Sequence, residues 1–188
     1  MIEKERTTKE TSVSLCLDVD GGDRRIEIPC GFLRHMLELF AFHAGIGLDV
    51  TATGDVDVDC HHVTEDIGIL LGKAFEQARS GRNIQRYGWC ALPMDGSLVL
   101  AAVDFSGRGQ FEWKGAFPAE QCGDFDLELL PEFWRAVCRE GRITLHAQAL
   151  ACDNAHHLAE ALFKGAGRAF RQALSPAGEL QSTKGTLA

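Results

Sequence analysis

Two copies of one histidine-rich motif are the residues best suited to chemistry in this chain. The pattern His-His-x-x-Glu occurs twice, as His61, His62 and Glu65 and as His156, His157 and Glu160. On a helix, which turns about 100° per residue, the first His and the Glu of one motif share a face, whereas the second His points away. One motif alone therefore cannot easily surround a metal ion.

The economical arrangement is two motifs that meet across a pseudo-twofold axis. Each motif would give one His and its Glu to one metal and its other His to a second metal. The predicted sets are His61, Glu65 and His157 for one site and His156, Glu160 and His62 for the other. Such imidazole and carboxylate ligands suit Mn²⁺, Fe²⁺ or Zn²⁺ and are unlike the thiolates of a structural zinc site.

Two further histidines are candidate ligands. His35 lies at the start of a predicted helix, and His146 lies on the predicted strand that leads into the second motif. A shift of 95 positions pairs them with Leu130 and Thr51, so the internal repeat does not support them. A lone histidine on an apolar face is often a core residue, and the spacing alone leaves both roles open.

A second set of residues could hold a small phosphate near the metals, because guanidinium, ammonium and hydroxyl groups bind phosphate oxygens. These residues are Arg86, Arg108, Lys164, Ser182, Thr183 and Lys184. The alternative is that the arginines are solvated surface charges and that Lys164 only extends from an amphipathic helix. Each residue alone is weak evidence.

Hydrophobic periodicity predicts the elements that position these residues. In the first half they are a strand at 12–19, a turn at 20–23 into a hairpin strand at 26–28, a helix at 32–40, a strand at 48–52 and a helix at 61–78 with Asp59 as N-cap. In the second half they are strands at 97–104 and 110–113, a helix at 126–139, a strand at 144–150 and a helix at 156–173. The pattern predicts two ββαβα units.

A direct comparison of the two halves supports a duplication. The shift of 95 positions, without gaps, superimposes both motifs and also pairs Asp59 with Asn154, Gly72 with Gly167 and Phe75 with Phe170. We therefore predict an α/β chain, a two-layer α+β sandwich made of two halves. The halves are residues 1–92 and 93–174, and a Gly-, Ser-, Pro- and Thr-rich segment, residues 175–188, is predicted to be a mobile tail.

Composition limits the partners of the protein. The chain has 188 residues and a formal net charge of −8, which argues against a nucleic-acid or anionic-membrane surface. No apolar run is long enough for a membrane span, and the polar first residues lack a signal-peptide pattern. Seven scattered cysteines predict structural thiols in a reducing compartment, and a ligand role for Cys60 is disfavoured by the better ligands beside it. We expect a cytoplasmic protein.

The chain resembles the imidazoleglycerol-phosphate dehydratase family over nearly its full length, and all seven histidines fall in the matching motifs. The matching segments are Arg6-Thr7, Glu10-Thr11, Gly31-Phe32, His35-Met36-Leu37, His43, Gly54-Asp55, Asp59 to Asp66, Arg86-Tyr87-Gly88, Pro93-Met94-Asp95, Asp104, Ser106-Gly107-Arg108, Thr144-Leu145-His146, Asn154 to Glu160, Phe163-Lys164 and Ser182 to Gly185. As a set these segments are highly specific.

The resemblance implies a duplicated fold like the second domain of ribosomal protein S5, assembled into a 24-subunit homo-oligomer with active sites between subunits. It implies two Mn²⁺ ions per site. The implied ligands are His35, His62, His156 and Glu160 for one ion and His61, Glu65, His146 and His157 for the other. Residues matching Arg86, Arg108, Lys164, Ser182 and Lys184 would hold the substrate phosphate, with Glu10 near the glycerol part and His43, Thr183 and the metal ligands also lining the substrate site.

The implied reaction is the dehydration of imidazole glycerol phosphate to imidazole acetol phosphate in histidine biosynthesis. The metals would act as Lewis acids and as a template, and Glu10 or Glu160 would move protons. Three features depart from the family pattern: Arg34 replaces an Asp, Gly96 replaces an acidic residue, and Val63-Thr64 reverses the usual order. The alternatives are an enzyme for a related azole phosphate and a non-catalytic metal-binding assembly protein.

Overall fold

The structure is a computed structural model that describes residues 1–183 and Gly185. Within that part of the chain there are ten strands and four helices. The first half contains β1 (Ile2–Thr7), β2 (Thr11–Asp18), β3 (Arg24–Glu27), α1 (Gly31–Ala44), β4 (Gly47–Gly54) and α2 (His61–Arg79). The second half contains β5 (Tyr87–Met94), β6 (Ser97–Asp104), β7 (Gln110–Lys114), β8 (Gln121–Cys122), β9 (Phe125–Asp126), α3 (Leu129–Gly141), β10 (Thr144–Ala151) and α4 (Ala155–Leu174).

The two halves have the same topology. The strands of the first sheet lie in the order β1-β2-β4-β3, and those of the second lie in the order β5-β6-β10-β7. In each sheet the first three strands are antiparallel and the last is parallel to its neighbour. The α/β class and the duplication are therefore confirmed, with one more strand in each four-stranded sheet than the sequence pattern predicted and a short β8-β9 pair added in the second half. The proposed boundary after residue 92 falls within β5, which pairs with β6.

The predicted hairpin between β2 and β3 is wrong. Both edges of β2 are occupied, because it pairs with β1 and β4, whereas β3 pairs in parallel with β4. The connection crosses the end of β4, where the backbone N–H of Leu48 donates to the carbonyl of Asp23 at 3.0 Å. Alternating hydrophobicity identifies a strand but does not identify its neighbour.

The core lies between the two sheets, where the helices of one half pack on those of the other. Helix α1 contacts α4, and α2 contacts α3. Fully buried aromatic rings fill this layer, with Phe40 in edge contact with Trp134 at 5.3 Å and with Phe170 at 5.3 Å between ring centroids. This packing fixes α1 against α4, the helices that carry His35 and the second motif.

Both motifs lie at helix N-termini. Asn154 is the N-cap of α4 and accepts a hydrogen bond from the backbone N–H of His157 at 2.8 Å. At α2 the N-cap residue is Cys60, although the predicted cap Asp59 accepts from the backbone N–H of His61 at 2.7 Å. Helix α3 begins three residues later than predicted because residue 126 pairs with residue 121. None of the helices in the described residues is long and apolar enough to cross a membrane.

Candidate metal centre

Three ligand side chains from two helices converge on one point. His35 extends from α1, and His156 and Glu160 extend from adjacent turns of α4. The Nε2 atom of His35 lies 2.9 Å from Oε1 of Glu160, and Nε2 of His156 lies 3.3 Å from the same oxygen. This is the only group of three such ligands within 4.8 Å of one another among the residues that the structure describes. Two imidazoles and a carboxylate form a partial coordination shell for a divalent metal.

Glu160 is held in its ionised form. It is 7% exposed, and Nζ of Lys164, one helical turn later, lies 2.7 Å from Oε2. Burial raises the pKa of this carboxyl, but hydrogen bonds from Lys164 and His35 outweigh it and bring the pKa to about 2. Lys164 also contacts Sδ of Met94 at 3.2 Å. The negative charge that a metal ligand requires is therefore available at neutral pH.

His62 of the first motif lies in a separate carboxylate environment. Its Nδ1 is 2.9 Å from Oδ2 of Asp55, and its Nε2 is 3.8 Å from Oε2 of Glu10. Asp55 raises the pKa of His62 through this hydrogen bond. A carboxylate that accepts from Nδ1–H leaves Nε2 to bind a metal, which is the usual arrangement of a metal-binding histidine.

His157 of the second motif has the same kind of partner. Its Nδ1 lies 3.0 Å from Oδ2 of Asp153, which raises the pKa of the ring, and its Nε2 lies 3.5 Å from Oδ2 of Asp95. The nearby departure from the family pattern has a steric explanation. A Cβ atom at Gly96 would lie 2.7 Å from Cβ of Asp153, so no side chain fits there while Asp153 keeps its place.

The remaining predicted ligands lie apart within one chain. Glu65 pairs with Arg139 of α3 at 3.3 Å, and His61 lines a surface depression with Arg135. His146 lies on β10 in a shallow depression that Lys114 also lines. In the described part of a single chain, neither motif-derived ligand set is assembled, and His35, His156 and Glu160 form three quarters of the first set implied by the resemblance.

The predicted phosphate residues form two groups. The guanidinium of Arg86 binds Asp104 at 2.7 Å and the carbonyl of Gln181 at 2.9 Å, and Arg108 lies 3.9 Å from the same aspartate. This places Ser182 and Thr183 of the tail near Arg86, whereas Lys184 lies outside the described residues. The backbone of Arg86 contacts Ala173. Because Lys164 and Ala173 are nine positions apart on α4, their backbone positions are about 13 Å apart along the helix axis.

Two other residues that the sequence singled out, His43 and Arg34, both lie on α1. His43 lies on α1 alongside α4, where burial and then the positive charges of Lys164 and Arg168 lower its pKa. Arg34 is exposed on α1, and the carboxylate that contacts the neighbouring His35 comes from Glu160 instead.

The thiols of Cys30 and Cys60 contact each other, and burial raises the pKa of both.

Four residues beside these groups were not predicted from the sequence. They are three carboxylates and one thioether, namely Asp55, Asp104, Asp153 and Met94. Three of them stand in motifs that match the family and were not given a role. Asp153 stands in no such motif, and the shift of 95 positions pairs it with Val58. Only its position four residues before a motif histidine could have indicated it.

Comparison with known proteins identifies the family. The family model for imidazoleglycerol-phosphate dehydratase matches residues 29–170. The dehydratase of Clostridium novyi is 46% identical over 91% of this chain and 88% of its own, and that of Azorhizobium caulinodans is 46% identical over 97% and 95%. The crystal structure of the Staphylococcus aureus dehydratase superimposes with a TM-score of 0.86 at 38% identity, covering 93% of this chain and 98% of its own.

The duplicated α/β fold is shared with dehydratases, which are hydro-lyases, and the histidine-glutamate cluster is suited to a metal ion. A structure of the Pyrococcus furiosus enzyme, in complex with (S)-C348, also has a TM-score of 0.86 at 38% identity and covers 97% of this chain and 99% of its own. The chain belongs to the imidazoleglycerol-phosphate dehydratase family, whose members act in histidine biosynthesis.

Proposed function

We propose that the protein catalyses a manganese-dependent removal of water from imidazole glycerol phosphate, giving imidazole acetol phosphate. The observation that carries this proposal is the convergence of His35, His156 and Glu160. The ligand atoms fit a divalent first-row metal, because two imidazole nitrogens lie close to one ionised carboxylate oxygen. Bound at this centre, Mn²⁺ would supply Lewis-acid stabilisation of negative charge on the substrate imidazole.

Two ligand sets are proposed for the complete site. They are His35, His62, His156 and Glu160 for one ion and His61, Glu65, His146 and His157 for the other. The contacts of Asp55 with His62 and of Asp153 with His157 support a ligand role for both histidines, since both leave Nε2 available. In the simpler sets derived from helix geometry, as in these two sets, each motif supplies ligands to both ions.

Glu10 is the better candidate to carry protons in the reaction. Glu160, with its pKa of about 2, remains ionised and bound to its neighbours, which suits a ligand more than a proton donor. The side chain of Glu10 is 57% exposed, and its Oε2 atom lies 3.8 Å from the Nε2 of His62. We propose that this oxygen takes a proton from the substrate carbon or returns one to the leaving hydroxyl.

The active site is proposed to form between subunits of a homo-oligomer, which the resemblance implies to be a 24-subunit assembly. Within one chain the ligands of the second ion are separate. Arg86 contacts α4 at Ala173, about 13 Å along the helix from Lys164. A second copy could supply the missing ligands, and Arg86, Arg108, Ser182, Thr183 and Lys184 would then hold the phosphate of the substrate. Metal binding would couple to assembly, so light scattering should show smaller particles after chelation. The cytoplasmic location stays a prediction.

The test is a substrate panel with direct product identification. The Mn²⁺-loaded protein should convert imidazole glycerol phosphate to imidazole acetol phosphate, identified by mass spectrometry and NMR. Turnover of only a related azole phosphate would show an altered specificity. Metal-dependent oligomers without turnover of any member of the panel would show a non-catalytic assembly protein, and either result would overturn the proposal.

A further inference from the structure

The imidazole of His157 has two competing neighbours at Nδ1. Oδ2 of Asp153 lies 3.0 Å from this nitrogen, and Nδ2 of Asn154 lies 2.7 Å from it. The amide of Asn154 is oriented by its own contacts, because its oxygen accepts from the backbone N–H of His157. Its Nδ2 can therefore only donate to the ring, and it forms this hydrogen bond only when Nδ1 carries no proton.

These neighbours favour opposite tautomers of the ring. If Nδ1 accepts a hydrogen bond from Asn154, the ring proton lies on Nε2, and that nitrogen cannot bind a metal. If Nδ1–H donates to Asp153, Nε2 carries a free lone pair. An ionised carboxylate accepts hydrogen bonds more strongly than a neutral group and repels the lone pair of an unprotonated Nδ1, so Asp153 favours the second tautomer.

Asp153 is held in place by the turn between β5 and β6. Oγ of Ser97, a residue only 1% exposed, donates to Oδ1 at 2.5 Å, and the backbone N–H of Gly96 donates to Oδ2 at 3.3 Å. The backbone N–H of Asn154 donates to Oδ1 at 2.8 Å. With three donors from the protein, the carboxylate has a fixed orientation, and Oδ2 is directed at His157.

In the first half of the chain, Nδ1 of His62 also contacts an aspartate, but that aspartate stands at a different spacing from the histidine. Asp55 precedes His62 by seven residues, whereas Asp153 precedes His157 by four. The shift of 95 positions pairs Asp55 with Leu150, so the duplication does not account for both contacts. Two different solutions to one requirement indicate that the Nδ1–H tautomer is needed at both histidines.

We propose that Asp153, seated by Gly96 and Ser97, is a positioning residue that holds His157 in the Nδ1–H tautomer and presents Nε2 to a metal ion. This inference rests on the proposed ligand role of His157. It also explains why a glycine stands at position 96, since a Cβ atom there would meet the Asp153 side chain at 2.7 Å.

The experiment compares Asp153→Ala, Asp153→Asn and Gly96→Ala with the wild-type protein. In metal-free samples with labelled histidine, solid-state ¹⁵N NMR should show one protonated Nδ1 changing to protonated Nε2 in Asp153→Ala. Mn²⁺ affinity, measured by competition with a chelator, should fall about 10- to 100-fold at one of the two ions. Asp153→Asn retains a neutral acceptor and should recover part of the affinity.

Matched controls separate positioning from folding. Gly178→Ala adds a Cβ atom that would contact nothing within 4 Å, and Asp20→Asn removes an exposed aspartate that pairs with Arg82. Both controls should keep wild-type affinity, whereas Gly96→Ala should weaken it even though residue 96 is not a ligand. Circular dichroism and particle size show which variants are folded.

The outcomes distinguish this inference from the proposed function. If the wild-type protein binds no Mn²⁺, the proposed function fails, and the NMR experiment still reports whether Asp153 sets the tautomer. If the wild-type protein binds Mn²⁺ and folded Asp153→Ala binds it equally well with an unchanged tautomer, the inference is wrong.

Discussion

Glu160 of α4 and His35 of α1 are in contact at 2.9 Å, and this contact joins the second half of the chain to the first. The two residues are 125 positions apart in sequence and are not related by the duplication. The candidate metal centre therefore depends on the packing of α1 on α4, and not on either histidine motif alone.

Replacing Glu160 with Gln should remove the charged member of the cluster. We expect one metal per active site to be lost and turnover to fall about 100-fold or more, since a charged ligand is replaced by a neutral one. Metal analysis after gel filtration and a turnover assay would measure both. Glu120→Gln, which changes an exposed glutamate, should match the wild-type protein; equal metal content in both variants would contradict the assignment.

Lys164→Met should change the acid stability of the metal-free protein. The pKa of Glu160 is about 2 in the folded chain and 4.5 in the reference state, so its ionisation stabilises the fold above pH 4.5 and this contribution is lost as the pH falls toward 2. Without Lys164 the folded pKa rises. The variant should be less stable by about 1–3 kcal/mol at pH 7, and the difference should shrink between pH 4.5 and 2.

Urea unfolding at several pH values would check this expectation. The matched control is Arg82→Met, which breaks the exposed pair with Asp20 and should have a much smaller effect. A pH-independent difference between Lys164→Met and the wild-type protein would show that the lysine acts through packing alone.

Asp66 should be needed to position Glu10. It is buried on α2 and accepts hydrogen bonds from Arg6 at 2.6 Å and from Thr11, the residues on either side of the turn that carries Glu10. Asp66→Asn removes the charge and the ion pair while keeping an acceptor for Thr11. We expect turnover to fall about tenfold, equivalent to about 1.4 kcal/mol, with little change in KM.

Steady-state kinetics would measure this effect, and Asp49→Asn on the exposed face of β4 is the control. An unchanged turnover in folded Asp66→Asn would mean that the turn keeps Glu10 in place without the aspartate.

Two glycines of α4 should respond oppositely to alanine. A Cβ atom at Gly165 would make ordinary contacts at 3.5 Å or more, so Gly165→Ala should stabilise the helix by about 0.5–1 kcal/mol. A Cβ atom at Gly167 would lie 2.7 Å from the carbonyl oxygen of Phe40, so Gly167→Ala should push α1 away and cost about 1–3 kcal/mol.

Thermal unfolding of both metal-free variants would measure these free energies. Gly167→Ala should also weaken metal binding, because it separates the helices that carry His35 and Glu160. Equal stability of the two variants would contradict the close approach of α1 and α4.

Much of the fold could be predicted from the sequence. The periodicity of the helices and the shift of 95 positions gave the duplication and the placement of both motifs, because local burial repeats with the period of each element. The pairing of β3 with β4 could not be predicted, since alternation does not specify a partner strand. Strands β1 and β5 were missed: β1 is rich in charged residues and only partly buried, and β5 contains a glycine and a proline.

The candidate site was predicted only in part. The motif residues were identifiable from type and spacing, whereas the contact of His35 with Glu160 depends on helix packing between the halves. Asp153 was missed because its role depends on the turn at Gly96 and Ser97. Ser97 lies 56 residues before Asp153 in the sequence. The assignment of ligands to two ions remains a prediction.

A manganese titration of metal-stripped protein, with bound metal and imidazole acetol phosphate measured in the same samples, tests the proposed metal dependence directly. Turnover should be absent without metal and should rise in proportion to bound Mn²⁺ until two ions are bound per active site. Full turnover in the stripped protein, or Mn²⁺ binding that neither requires Glu160 nor restores activity, would contradict it.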